Sequence, residues 1–380
     1  MRSPRAIDTL LSRSAFALAG AGRPGRELMA HLELAAATGP AYVCARFREG
    51  RAFARESARI DADYYRRLWT SAAADVGATV TDHPAGILSF QHGDRRTLTQ
   101  RQWTTLDDVV TVRASLDKVL VNGLLRDVGV PTTSYVECRL GDLTPAVELL
   151  RRSGAVVVKP ARGTGGGMGA TAGVSTMSQL RRAAVIAARR SSTILVEPQV
   201  PGSVYRLLFL DGELLDVVRR DPPHVMGDGS STVRELILAE NRRRLEAGGD
   251  LGLQLITATL DCVYALAGQG LRLGSVAPPG TRVRVRNVTN QSGPADSHTV
   301  SEPPADELVR EARSSVRALG LRLAGVDVIT ADLNRPLAET GGALIEVNGG
   351  PGLHHHYLVS DPSRAVHVCE PVLRRALGLT

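Results

Sequence analysis

Lysine is nearly absent from this chain: of its 46 basic residues, only Lys118 and Lys159 are not arginine. Aromatic residues are scarce too, at 4%, which argues against the stacked-ring platforms that hold single-stranded nucleic acid. The four cysteines, Cys44, Cys138, Cys262 and Cys369, lie far apart and form no CxxC pair. That spacing fits neither a zinc site nor a disulfide framework and suits a reducing cytoplasm. No apolar run approaches the roughly 20 residues of a membrane span. The stretch from Arg2 to Gly22 loosely imitates a secretion signal, but Arg13 interrupts its apolar part, so export is not expected.

The formal net charge of +7 comes from arginines spread along the chain and interleaved with Asp and Glu. A nucleic-acid surface would gather its basic residues on one face, and no such run is present. A general bias toward arginine accounts for the balance, with a mildly basic site for anionic ligands held in reserve. What the chain does have is an ordinary apolar content of 43% over 380 residues. That is enough for a large core and two or three subdomains.

The patterning suggests three units of an α/β protein. In residues 1–106, AYVCARF (41–47) reads as a strand, RESARIDADYYRRLWTSAAADVG (55–77) as a helix and GILSF (86–90) as another strand. In residues 107–196, SLDKVLVNGLLRDVGV (115–130) has helical spacing, with Ser115 as N-cap and Gly129 as stop. TTSYVEC (132–138) follows as a strand, then the strand AVVVKP (155–160), a glycine-rich loop, a helix (178–190) and the strand TILVE (193–197). Residues 197–380 alternate strands with long helices. They include a strand pair turned at Asp211-Gly212, a helix over 232–248, and a second pair, GVDVITADL (325–333) with ALIEVN (343–348).

Gly163, Gly165, Gly166, Gly167 and Gly169 give a loop whose backbone can approach phosphates without side-chain hindrance. A glycine cluster alone is equally a plain flexible loop, and this one matches neither the P-loop nor the dinucleotide fingerprint. Lys159 closes the strand that feeds it. In a chain that otherwise uses arginine, a retained lysine points to a need for a compact point charge on a flexible stem. In IEVN (345–348), residues two apart share a face. Glu346 and Asn348 therefore present hard oxygen donors together, and Asp327 on the preceding strand can join them around Mg²⁺. A solvated strand face is the plain alternative, but a Glu within Leu-Ile-Glu-Val is better read as buried and partnered. The run His354-His355-His356 is not a zinc site, because adjacent histidines point different ways. One of them, His356, is the expected pocket residue.

In this order the segments resemble the ATP-grasp superfamily, most of all the ligase domains of cyanophycin synthetase and the bifunctional glutathione synthetase, with D-alanine–D-alanine ligase more distant. The motifs are SLDK (115–118), VVVKPARGTGGGMG (156–169), VEPQVPGSVYRLL (196–208), RDPPHVMGDGSSTVRELI (220–237), VRNVTNQSGPADSHT (285–299), AGVDVITADLNRPL (324–337) and IEVNGGPGLHHH (345–356). Together they span about three quarters of the chain. The resemblance implies an ATP-grasp fold preceded by an N-terminal α/β domain, with unit boundaries at 106/107 and 196/197.

It also implies residue roles. Lys118 and Lys159 would contact the ATP phosphates under the loop of Gly165, Gly166, Gly167 and Met168. Glu197, the Pro198 carbonyl and the Val200 N–H would take the adenine. Asp327, Glu346 and Asn348 would carry two Mg²⁺ ions, with Mn²⁺ a permitted substitute. Arg206, Arg220, Asn290 and His356 would face the substrates, and Arg286 would stabilise charge on the reacting acyl group. One departure is Val204, where relatives usually place an acidic residue for the ribose.

The activity so implied is an ADP-forming ligase. Carboxylate is a poor electrophile, so the γ-phosphoryl group is first moved onto it, and an amine attacks the resulting acyl phosphate. Positioning, charge neutralisation and exclusion of water carry such chemistry, and a mobile glycine loop suits a lid. The chain ends without the second ligase domain of cyanophycin synthetase, which favours a single-bond, dipeptide-type ligase. A γ-glutamyl dipeptide is the leading product. The alternatives are modification of a peptide or protein terminus and a non-catalytic nucleotide-binding module. Expected partners are small amino acids, with a homodimer as the assembly common among relatives, and neither nucleic acid nor membrane.

Overall fold

The computed structural model describes residues 22–379, with the side chains of residues 22–23 and 40–54 outside the description. Cys44 and the signal-like stretch before Gly22 therefore lie outside the described residues. Helix α1 (Gly22–Thr38) is followed by α2 (Pro40–Val76). Pro40 stands in the first turn of α2, where its missing N–H has no intrahelical partner to lose. The expected strand at 41–47 is a correction: those residues are the start of α2. A seven-residue β-like window yields to a 37-residue helix whose later turns bury Ile60, Tyr64, Trp69, Ala72, Ala73 and Val76. Gly77, at φ 69, ends it in the left-handed conformation.

Strands β1 (Thr79–His83), β2 (Ile87–His92), β3 (Arg95–Gln100) and β4 (Trp103–Thr104) form an antiparallel meander. It packs on α2 through Phe90 and Trp69. Next come α3 (Val109–Ala114) and α4 (Lys118–Asp127). The N-cap of α4 is Asp117, whose carboxylate accepts the N–H groups of Val119 and Leu120. Ser115, expected in that role, instead ends α3, and its hydroxyl accepts the Gly349 N–H at 3.1 Å.

Strand β5 (Val136–Cys138), helix α5 (Thr144–Ser153), strands β6 (Val156–Pro160) and β7 (Thr171–Val174), helix α6 (Met177–Ala188) and strand β8 (Ile194–Pro198) form the next layer pair. The strand order is β5-β8-β6-β7 and each pairing is antiparallel. Val156, Val158, Ile194 and Val196 bury against Leu149 and Leu150 of α5 and Leu180 and Ala184 of α6, and α1 adds Met29.

Strands β9 (Ser203–Leu210) and β10 (Glu213–Arg220) pair across Asp211 (φ 49) and Gly212 (φ 81). Two successive positive φ angles are what a two-residue hairpin of this twist requires. The chain continues through β11 (His224–Met226), α7 (Val233–Glu246), α8 (Leu260–Ala267), β12 (Arg282–Arg284), β13 (Ser297–Thr299) and α9 (Asp306–Leu319). It ends with β14 (Leu323–Thr330), α10 (Leu337–Thr340), β15 (Ala343–Gly349) and α11 (Cys369–Ala376). Thr232 and Glu235 form a capping box at the start of α7.

The large sheet runs β13-β10-β9-β14-β15. Side chains alternate faces along a strand, and β9 uses both. Leu207 and Phe209 pack with Val121 and Leu125 of α4 and with Leu308 and Val316 of α9. Leu208 and Leu210 pack with Trp69 of α2 and Leu373 of α11. The same face carries Arg206 and Val204 further along β9, where the sheet leaves the core and forms a cavity wall. Among the described residues, no helix is long and apolar enough to cross a membrane.

Candidate active site

Between the two large sheets lies a cavity of about 420 Å³. Its walls come from β6, β7 and β8 on one side and β9, β14 and β15 on the other, with the glycine loop and the segment 287–290 at its rim. The two lysines meet there from different elements. Lys118, in the first turn of α4, donates from Nζ to the Thr164 carbonyl at 2.6 Å and lies 3.4 Å from Glu346. Its own N–H donates to the Ala161 carbonyl, which ties the start of α4 to the loop. Lys159 on β6 reaches across to β8, placing Nζ 2.7 Å from Glu197, which is 3% exposed.

The loop between β6 and β7 brings Thr164, Gly166, Gly167 and Met168 to the cavity, while Gly165 sits off the lining near Leu116. At Gly169, with φ 79, an added Cβ would stand 2.9 Å from the Pro160 ring. Glycine is thus needed twice over, for its backbone angle and for space. Met168 is half exposed. Glu197, Pro198, Gln199 and Val200 line the hinge side, with Val157 and Ala172 nearby. Val204 lines the same cavity, so the departure from an acidic residue falls on its wall.

Arg206 binds Asp327 bidentately, Nε to Oδ1 at 2.6 Å and Nη2 to Oδ2 at 2.8 Å, with both side chains buried. This fork geometry is the strongest form of the arginine–carboxylate pair. Asp327 and Glu346 are opposite one another in the β14–β15 register, and both line the cavity. Two carboxylates beside a phosphate site are what Mg²⁺ takes, since it keeps waters and substrate oxygens for its other positions. Among the described residues, no group of three His, Cys, Asp or Glu could hold a metal. The donor set therefore fits Mg²⁺ shared with phosphate and not an all-protein cage. Asn348 stands behind this pair, its amide 3.2 Å from Asp327, and is not on the lining.

Arg220 is buried and lines the cavity, donating from Nη2 to the Thr289 carbonyl at 2.8 Å. Its buried Nε has no hydrogen-bond partner among the described residues. Burial, together with the neighbouring Arg206 cation, lowers its pKa to about 10. A desolvated guanidinium with an open donor is a receptor for an anion. Asn290 also lines the cavity, packed against Gly167, with its buried Oδ1 unpartnered among the described residues.

Besides Gly165 and Asn348, two further expected residues lie off the lining. Arg286 is 3% exposed and held in a buried network with Asp261 (3.3 Å), Gln291 (2.9 Å) and Thr257 (3.4 Å), off the cavity lining. Its Nε and Nη1 are held by these protein partners, so it braces the 286–291 segment from behind the lining. His356 is fully buried with Nδ1 2.5 Å from Asp216, also off the lining. Its neighbour His354 bonds Tyr65 at 2.8 Å. Burial, reinforced by the Arg220 and Arg206 cations, lowers the His354 pKa to about 3 and that of His355 still more clearly below its ordinary value. Sequence reasoning missed Thr164, Gln199, Asp221, Asn287 and Thr289 on the lining and Asp261 behind it. The polar run Asn287-Val288-Thr289-Asn290 was the available signal for two of them.

No family model matches the chain. It is 32% identical over 299 residues to the cyanophycin synthetase of Synechocystis sp., covering 76% of this chain and 33% of that protein. It is 28% identical over 294 residues to the glutathione biosynthesis bifunctional protein GshAB of Streptococcus mutans, covering 76% of this chain and 39% of that protein. The chain thus spans between a third and two fifths of these curated relatives' lengths. Among solved structures, it matches the crystal structure of a bifunctional glutathione synthetase from Pasteurella multocida. That match has a TM-score of 0.51 at 24% identity and covers 82% of this chain and 44% of that one. The chain is a relative of cyanophycin synthetase and the bifunctional glutathione synthetases, and its fold is that of the ATP-grasp ligases.

Proposed function

We propose that this chain is an ATP-dependent, ADP-forming ligase that converts a carboxylate to an acyl phosphate and joins it to the amine of an amino acid. One observation carries the reading. The only two lysines, 159 on β6 and 118 on α4, converge with the Asp327–Glu346 pair around one cavity under the glycine loop.

Lys118 and Lys159 would neutralise the nucleotide phosphates as point charges, and Thr164, Gly166 and Gly167 would cover them. Asp327 and Glu346 would hold Mg²⁺, which supplies charge neutralisation on the phosphoryl group in flight. Arg206 orients Asp327 for that task. Arg220 would bind the anionic substrate or the developing acyl phosphate, with Asn290 closing that end of the cavity. The hinge from Glu197 to Val200 would receive the adenine.

A γ-glutamyl dipeptide is the leading product, supported by the similarity to GshAB. The division into residues 1–106, 107–196 and 197–380 belongs to the same proposal. The β5–β8 sheet and its own core support it, although the meander and α2 share a core with the third part. Cytoplasmic chemistry is supported by the free, buried thiols of Cys138, Cys262 and Cys369. Mn²⁺ in place of Mg²⁺ and assembly as a homodimer are further parts of the proposal.

The test is a screen of the chain with ATP, Mg²⁺ and pairs of the common amino acids, with product mass and nucleotide products read together. ADP with orthophosphate and a dipeptide mass is expected. AMP with pyrophosphate, or no turnover with any pair, would sink the reading.

A further inference from the structure

The acceptor of an amide ligase arrives as an ammonium ion, which must lose a proton before its nitrogen can attack. Four acidic residues line the cavity among the described residues: Glu197, Asp221, Asp327 and Glu346. Three are matched to cations on the same lining, namely Lys159, Arg206 and Lys118. Asp221 is not. Its Oδ2 turns to His298 Nε2 and to Arg219 Nη2, each at 3.3 Å, and neither residue is on that lining. Both line a separate, open cavity of about 400 Å³ on the other side of the sheet.

Asp221 follows Arg220 at the end of β10, and its backbone is fixed at both ends. Its N–H donates to the Asp296 carbonyl at 2.7 Å, and its carbonyl accepts from the Ser292 hydroxyl at 2.5 Å. The β10–β13 register sets Arg219 opposite His298. His298 Nδ1 lies 2.8 Å from the Ser360 hydroxyl, a group that donates or accepts, so either ring tautomer is satisfied.

We propose that Asp221 binds the acceptor's ammonium group beside Arg220 and takes its proton, which His298 then relays to solvent through the outer cavity. This rests on the ligase reading. In the step, one N–H bond of the ammonium breaks and an O–H bond forms on Asp221. The freed nitrogen lone pair attacks the acyl carbon, the acyl carbon–oxygen bond to phosphate breaks, and the departing orthophosphate carries away the nitrogen's second proton. The proton on Asp221 passes to His298 Nε2 and is released from the imidazolium at the surface.

The experiment compares wild type, Asp221→Asn and His298→Gln, all as the full chain with ATP and Mg²⁺. The carboxylate is the donor of whichever amino-acid pair the screen turns over. The acceptor is either that pair's amine or hydroxylamine, which is already neutral near pH 7 and reports acyl phosphate as the hydroxamate. Asp221→Asn is expected to slow the amine reaction by on the order of 100-fold, the usual worth of a positioned base, and hydroxamate formation by less than about 3-fold. His298→Gln is expected to slow only the amine reaction, and less severely. Equal losses with both acceptors, or no loss with the amine, overturn the inference while leaving the ligase reading intact. Absence of both products from wild type overturns both.

Discussion

Replacing Asp261 with Asn should loosen the junction between the glycine loop and the 286–291 segment, and the structure sets the size of the effect. Asp261 lies in the first turn of α8 and is fully buried. Its Oδ1 accepts the Ala172 N–H at 3.0 Å, where β7 returns from the loop. Its Oδ2 accepts Asn287 N–H at 3.0 Å, Val288 N–H at 3.4 Å and Arg286 Nε at 3.3 Å. An asparagine in the same place must point its NH₂ at one of these donor sets, whichever way the amide turns. It also leaves the buried Arg286 cation without a counter-charge. Breaking one side of a buried pair costs about 3–5 kcal/mol. Urea unfolding of Asp261→Asn should show a loss of that order, and the double variant with Arg286→Met should recover part of it, because the orphaned charge is gone. Ala172, Asn287 and Asn290 all line the cavity, so the rate of ADP formation should fall in the single variant. A stability loss below about 1 kcal/mol, or a double variant worse than the sum of the two singles, would refute the pairing argument.

Lys159→Met should weaken nucleotide binding by roughly 10- to 100-fold, as expected for one charge-assisted contact of about 1.5–3 kcal/mol. Lys159→Arg should not restore it, because the fork needs different geometry; calorimetric titration with ADP checks both. Gly202→Ala should destabilise the hinge, since its φ is 128° and the added Cβ would fall 2.4 Å from the Thr330 backbone carbon; a lowered thermal midpoint is the readout. Stability should also fall as the pH drops from about 6.5 toward 3. Over that window the unfolded chain binds a proton that His354, with its pKa of about 3, refuses in the folded state. The slope from His354 is at most about 1.4 kcal/mol per pH unit, and His354→Gln should flatten it by that amount.

Local signals were legible where one element decides its own fate. The helix expected from Thr232, the Asp211-Gly212 hairpin and the β-branched run into the glycine loop each appear where the sequence places them. The lysines were legible because arginine's abundance made them stand out. Misreadings arose where distant partners decide. Residues 41–47 look β-like within seven positions, but they continue into the helix that buries Trp69. Asp117 outcompetes Ser115 as the α4 cap because the serine hydroxyl is engaged by Gly349, 234 residues away. Arg286 looked like a substrate residue, yet Asp261 and Gln291 hold it in the interior. Asp221 lies inside the RDPPHVMGDGSSTVRELI motif, but nothing in the sequence pairs it with His298, which the fold brings to 3.3 Å.

The central claim is an acyl phosphate formed in the Lys118–Lys159 cavity. The most direct measurement supplies the donor amino acid with ¹⁸O in its carboxylate, together with ATP, Mg²⁺ and the amine, and weighs the phosphorus products. The account predicts that one ¹⁸O atom appears in each orthophosphate released with ADP. Label in AMP, or orthophosphate free of label while the amide forms, would contradict it.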